Sequence, residues 1–320
     1  MSFFESTIVH TLPLLPKGLV RRFSSRYIAG ESMEDALQVV QKLNQRSILG
    51  TVDLLGEDIL EPAEAATNRQ AYGDLLTALN EHRLDGNISV KLTAMGLKIS
   101  RDLCLEQITA LLEHARRLDN FVRIDMEDST CTTPTLEIYR ELRKSFDNVG
   151  VVIQAYMRRS HDDVRELAAM KANVRLCKGI YIENRTIAYR DREIVQRNYA
   201  DLLAHLLNAG CYVGIATHDE LLVWEGLRLV RDLQLDRTQY EFQMLLGVDE
   251  MLRDILVDAG HRLRVYIPFG DRWYEYSMRR LKENPRIAVY ILKNLLAGLR
   301  GAGRPEVEPP GLDLRRSREP

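Results

Sequence analysis

Eight short apolar runs recur along this chain with amphipathic stretches between them, and no other feature limits the fold as tightly. The runs are Gly50–Leu55, Ile88–Leu92, Phe121–Asp125, Gly150–Gln154, Asn173–Cys177, Tyr212–Thr217, Tyr240–Leu245 and Leu263–Pro268. The segments between them carry helical periodicity, so the order is strand then helix, eight times over. Eight such units predict an α/β fold, a (β/α)8 barrel of the TIM type, whose reactive groups gather at the carboxyl ends of the strands. Those ends carry Asp53, Lys91, Asp125, Gln154, Arg175, Lys178, His218 and Tyr266.

A chain of 320 residues has the length of one barrel with extra helices. Residues 1–30 read as an irregular, partly helical arm, 31–300 as the barrel, and 301–320, rich in proline, glycine and charge, as a disordered tail. Net charge is −2 with acids and bases interspersed, which argues against a nucleic-acid partner. Cys104, Cys131, Cys177 and Cys211 are widely spaced and form no C-x-x-C pair, so they read as thiols in a reducing compartment. The apolar start has no basic region before it and is broken by Pro13 and Pro16, unlike a signal peptide or a spanning helix. The expected location is the cytoplasm, with room for peripheral attachment to the inner membrane face.

Ser32, followed three residues later by Asp35, caps a helix over Met33–Asn44, expected to close the barrel bottom. Further helices are predicted at Pro62–Leu84, Arg101–Arg117, Thr133–Phe146, His161–Met170, Ile194–Leu207, Glu220–Leu233 and Asp249–Val257. Two more, Arg272–Glu283 and Pro285–Leu296, follow the last strand and bring a final helix over the barrel mouth. The connection from Gly179 to Gly210 is long, as loops that shape a site often are.

Several residues carry chemistry. Arg175 lies within a strand that would otherwise be apolar, and a buried arginine needs a partner or a ligand. An internal ion-pair network, for instance Lys91 with Asp125, is the structural alternative to a functional one. Arg279-Arg280 would ordinarily be a solvated pair on a helix; over the mouth, two guanidinium groups hold a small carboxylate by charge-assisted bonds. No dinucleotide or phosphate loop and no H-E-x-x-H motif occurs, and the seven histidines are too scattered for a metal site. His218 alone stands at a strand end, and Cys177 has no paired histidine and reads as a strand residue.

Nine stretches in register resemble one known family. They include Thr51–Glu57, Ser89–Thr93, Val122–Ser129, Val152–Tyr156, Val174–Gly179, Ile215–Asp219, Tyr240–Leu245, Arg264–Gly270 and Tyr276–Asn284. Together they are similar to proline dehydrogenase, the flavin-dependent barrel that starts proline catabolism, over about residues 28–298. The resemblance implies noncovalent FAD in the barrel mouth, L-proline stacked on it, a product of 1-pyrroline-5-carboxylate, and a quinone as electron acceptor. It implies that Arg279, Arg280 and Lys91 hold the substrate carboxylate while Leu245, Tyr266 and Tyr276 pack on the ring. Arg175 would sit near flavin N5 and Gln154 at the isoalloxazine edge, with Lys178, Gly179, Thr217 and His218 along the rest of the cofactor. Asp125 would orient its neighbours. Asp53 and Glu57 would line the entrance, Glu57 pairing with Arg279 as a gate beside Glu283. Cys177, Ile180, Ile182 and Leu246 depart from the family pattern around the flavin, and Tyr276 favours proline over its 4-hydroxy derivative. The chain is too short for a fused aldehyde dehydrogenase, so the product would pass to a separate 1-pyrroline-5-carboxylate dehydrogenase. A Schiff-base lyase using Lys91 or Lys178, and a noncatalytic barrel that binds an amino acid, are the rival readings.

Overall fold

The computed structural model describes residues 20–21, 24–274 and 276–278. Arg279, Arg280, Glu283, the helix expected at Pro285–Leu296, the 301–320 tail and most of the 1–30 arm lie outside the described residues. The eight strands are β1 Leu49–Leu54, β2 Gly86–Val90, β3 Val122–Ile124, β4 Val149–Gln154, β5 Asn173–Cys177, β6 Tyr212–Ala216, β7 Tyr240–Leu245 and β8 Leu263–Phe269. They form a closed barrel in chain order, every neighbouring pair parallel. Closure is made by β1 on β8, where Thr51 lies opposite Tyr266 and Asp53 opposite Pro268.

The helices are α1 Met33–Asn44, α2 Pro62–Glu81, α3 Arg101–Arg117, α4 Ser129–Leu142, α5 Ser160–Ala169, α6 Arg192–Asn208, α7 Glu220–Asp232 and α8 Glu250–Asp258. None of these is long and apolar enough to cross a membrane. Alternation along the strands divides the molecule into two kinds of interior. Outward positions such as Val52, Val90, Ile124, Val174, Ile215, Phe242 and Ile267 pack with the helices into one apolar core. Inward positions carry Ser89, Arg123, Asp125, Gln154, Arg175, Glu241, Gln243 and Arg264, all buried. Barrel interiors are usually filled by branched aliphatic side chains; this one is wired with polar groups.

The capping box at the start of α1 forms as the sequence predicts, with Asp35 N–H donating to Ser32 Oγ and Ser32 N–H to Asp35, each at 3.1 Å. The helix does not close the bottom, however. It packs on the flank of β1 and β8, because Gly50 leaves its outer face bare and Val40 settles there beside Ile267. The start of α4 also differs from expectation. Asp128 caps it by accepting from Thr130 N–H at 2.8 Å, so the helix begins at Ser129 and carries Pro134 inside it. A short 3-10 turn, Leu92–Met95, follows β2 and was not legible in the periodicity.

Candidate active site

Strands β2 and β5 are not neighbours, so their side chains meet only across the barrel interior. There the Asp125 carboxylate is held from three strands. Its Oδ1 accepts from Ser89 Oγ of β2 and Arg175 Nη1 of β5, both at 2.7 Å, and its Oδ2 accepts from the Tyr266 hydroxyl of β8 at 3.0 Å. The Arg175 guanidinium lies over the Tyr266 ring, 5.3 Å from its centroid, and also donates to Ser89 Oγ at 3.0 Å. Burial, with Asp125 adding to it, holds the Tyr266 phenol well above its ordinary range, so the hydroxyl stays a donor.

Lys91 pairs with Asp53 rather than with Asp125: its ammonium donates to the two Asp53 oxygens at 3.0 and 2.8 Å. Asp53 is fully buried and backed by the Tyr72 hydroxyl of α2 at 3.3 Å. It is therefore an interior counter-ion for Lys91, not a residue of the entrance. Both carboxylates stand beside β2, on β1 and at the end of β3, but Asp125 is already engaged by Ser89, Arg175 and Tyr266, which leaves Asp53 to Lys91. Desolvation works against the Lys91 ammonium, but Asp53 and Asp125 outweigh it and raise its pKa. Glu57 follows β1 on a half-buried stretch of loop.

A second group lines the far rim. His218 Nε2 accepts from the backbone N–H of Leu245 at 2.9 Å, which puts the ring proton on Nδ1. That Nδ1 is buried and has no protein acceptor among the described residues. Desolvation, with Lys178 adding to it, lowers His218 to about 4, so the ring stays neutral at physiological pH. Lys178 Nζ, Arg192 Nη2 and Gln196 Nε2 converge on one oxygen of Asp219 at 3.1, 3.3 and 2.7 Å. Thr217 Oγ1 accepts from the Asp219 N–H at 3.0 Å. Gly179 has φ +107°, and a Cβ there would lie 2.1 Å from the Tyr156 ring, so only glycine fits. Gln154 donates its amide to the Glu127 carbonyl oxygen at 2.8 Å.

Tyr276 packs with Ile28, Leu55 and Trp273, which brings the turn after β8 across the end of β1. Ser24 Oγ donates to Ser277 Oγ at 2.6 Å and ties the arm to that turn. The barrel thus gathers Asp53, Lys91, Asp125, Arg175 and Tyr266 into one interior cluster and sets Lys178, Gly179, Thr217 and His218 apart on the rim.

Sequence reasoning passed over Ser89, Glu127, Glu241, Gln243 and Arg264. A signal was present: Ser89, Gln243 and Arg264 each lie two residues before a predicted site residue (Lys91, Leu245 and Tyr266), hence on the same inward face. Glu127 caps the turn after β2 by accepting from the Thr93 N–H at 3.1 Å and from its hydroxyl. Burial raises it from 4.5 to about 7 despite those bonds. Because the folded value lies above the unfolded one, its contribution is fully present below about pH 4.5 and is lost as pH rises through about 7. Between those limits the loss amounts to about 2–3 kcal/mol. Urea midpoints of the protein and of Glu127→Gln, compared at pH 4.5 and 7.5, should differ by that pH-dependent amount. A pH-independent difference would contradict the assignment.

The family model described as Proline dehydrogenase matches residues 36–290. Proline dehydrogenase 1 of Bacillus subtilis (strain 168) is 37% identical over 271 residues, 85% of this chain and 90% of that protein. Proline dehydrogenase of Deinococcus radiodurans is 37% identical over 280 residues, 86% of this chain and 90% of that protein. Among solved structures, proline utilization A from Bdellovibrio bacteriovorus, inactivated by N-propargylglycine, matches with a TM-score of 0.74 at 26% identity. That match covers 85% of this chain and 34% of the other.

Proposed function

This chain belongs to the proline dehydrogenase family and oxidises proline, the first step of proline catabolism, and we propose that it does so on FAD held at the barrel mouth. The rim suits such a group. The buried Nδ1–H of His218 is a donor in need of an acceptor, which a phosphate oxygen supplies, and Lys178 and Arg192 bring positive charge beside it. Lys178, Thr217 and His218 hold the outer part of FAD, with Gly179 allowing the backbone close approach, and Gln154 bonds the edge of its ring. When bound, FAD supplies the acceptor for the hydride taken from C5 of proline.

The chain's own residues do the rest. Lys91, protonated and oriented by Asp53, directs its remaining ammonium donor at the substrate carboxylate, and Arg279 and Arg280 complete that clamp. Leu245, Tyr266 and Tyr276 pack the pyrrolidine ring in place, so that much of the rate comes from positioning. Asp125 orients Arg175 and Tyr266. The protein engages Nε and Nη1 of Arg175, which leaves Nη2 for a ligand. A fixed positive charge there favours arrival of the electrons at the cofactor. Glu57 and Glu283 stand with Arg279 as the gate.

The product, 1-pyrroline-5-carboxylate, leaves for a separate dehydrogenase, and the electrons pass to a quinone at the membrane face, where the protein attaches peripherally. In this reading residues 31–300 are the catalytic barrel, with 1–30 an arm and 301–320 a tail beyond it. The observation that carries the reading is the Arg175–Asp125–Tyr266 cluster inside the barrel, beside a Lys91 whose ammonium is held by Asp53. The raised Lys91 also counts against a Schiff-base lyase, which needs a lysine that sheds its proton.

An anaerobic visible spectrum before and after L-proline tests the proposal. A yellow protein whose flavin band bleaches is the expected result. Yellow protein that does not bleach keeps the cofactor and removes the substrate assignment. Colourless protein that remains inactive after FAD reconstitution overturns the reading.

A further inference from the structure

Below the catalytic cluster, the interior holds a further ion pair, one that the mechanism does not use. Glu241 of β7 accepts from Arg264 Nε of β8 at 2.8 Å, and Arg264 Nη1 donates on to the Gly50 carbonyl of β1 at 2.6 Å. Desolvation alone would raise Glu241, but Arg264, with the hydrogen bonds from Arg264 and Gln243, lowers it to about 2. An ionised carboxylate only accepts hydrogen bonds. The side-chain nitrogen of Gln243 therefore faces it, donating to Glu241 Oε1 at 2.6 Å. The amide oxygen is then committed to the other side, where it accepts from Arg175 Nε at 2.5 Å. The amide cannot turn over without setting oxygen against carboxylate and nitrogen against guanidinium. Space for it comes from Gly214 of β6, where a Cβ would lie 2.5 Å from Gln243 Nε2.

We propose that Gln243 is a positioning residue for the oxidation. Its amide, oriented by Glu241 and accommodated by Gly214, fixes the Arg175 guanidinium against the cofactor. Asp125 and Ser89 hold Arg175 by Nη1 alone. The bond from Nε supplies the second point that stops the plane of the guanidinium from rotating about the first. The inference rests on the reading of Arg175 given above. It adds that the strength of the charge effect is set one layer deeper in the barrel, by groups that touch neither substrate nor cofactor.

The test is the two-electron midpoint potential of the flavin in the holoenzyme, with kcat and KM for proline measured alongside. Gln243→Met keeps the length and loses the acceptor. It should shift the oxidised–reduced equilibrium about tenfold toward the oxidised form, about 30 mV for two electrons. The same variant should lower kcat about tenfold, with KM within twofold and flavin content unchanged. Gly214→Ala keeps every polar group and only displaces the amide, so it should move potential and kcat in the same direction, and it serves if Gln243→Met fails to fold. Arg175→Met is the reference. If it shifts the potential while Gln243→Met and Gly214→Ala do not, Gln243 is packing only and the inference is overturned. If Arg175→Met leaves the potential unmoved, the role given to Arg175 is wrong and the inference falls with it.

Discussion

Arg175→Met slows anaerobic reduction of the flavin by proline by about two to three orders of magnitude. The expectation follows from burial. In a dry interior a charge acts with little screening, and Arg175 is 7% exposed with its donors aligned by Asp125, Ser89 and Gln243. Methionine fills similar volume, so flavin content should persist while the rate falls. Arg175→Lys should recover only part of the loss, because one ammonium cannot engage Gln243 and Asp125 together in the geometry of a planar fork. Rapid-mixing absorbance with saturating proline measures the step directly. A rate within threefold of the unaltered protein would remove Arg175 from the chemistry.

Asp53→Ala costs about 3–5 kcal/mol of stability, because it leaves the Lys91 ammonium buried without its counter-ion. Lys91 is 7% exposed and Asp53 fully buried, so water cannot take the place of the lost carboxylate. Replacing both at once, Asp53→Leu with Lys91→Met, should recover most of that stability, since neither charge is then stranded. Activity should stay lost in the double variant, because the proposed carboxylate clamp no longer has Lys91. Urea unfolding of Asp53→Leu, of Lys91→Met and of the double variant completes the cycle. Strict additivity would mean that the pair is not coupled.

The strand order and most element boundaries were legible because period-2 and period-3.6 patterns are local. Arg175 was legible too, as a charge in the middle of an apolar run. Pairing was not: Lys91 lies one strand from Asp53 on one side and one strand from Asp125 on the other, and periodicity does not choose between them. Glu241 and Arg264 are equally charged within apolar runs, yet they stand near the starts of β7 and β8, where a charge ordinarily meets water. Only barrel closure shows them buried together. Glu127 escaped notice because its task is to cap a turn whose existence the pattern did not reveal. For α1 the amphipathic face said that the helix packs, and the bare surface at Gly50 decided where.

The seat of α1 has a consequence for the order in which the molecule is completed. The helix precedes β1, yet it docks on β8, more than 200 residues later in the chain, as extensively as on β1. During synthesis Val40 and its neighbours emerge early and meet their last partner only when Ile267 arrives. Loop-closure entropy is paid late and all at once at this junction, so the joint between first and last strands should form after the other seven. Until it does, α1 and β1 present an unpaired edge and an apolar face to other chains. Destabilising that one joint, for instance by enlarging Gly50, should therefore lower the yield of soluble protein more than it lowers the stability of the molecules that do fold.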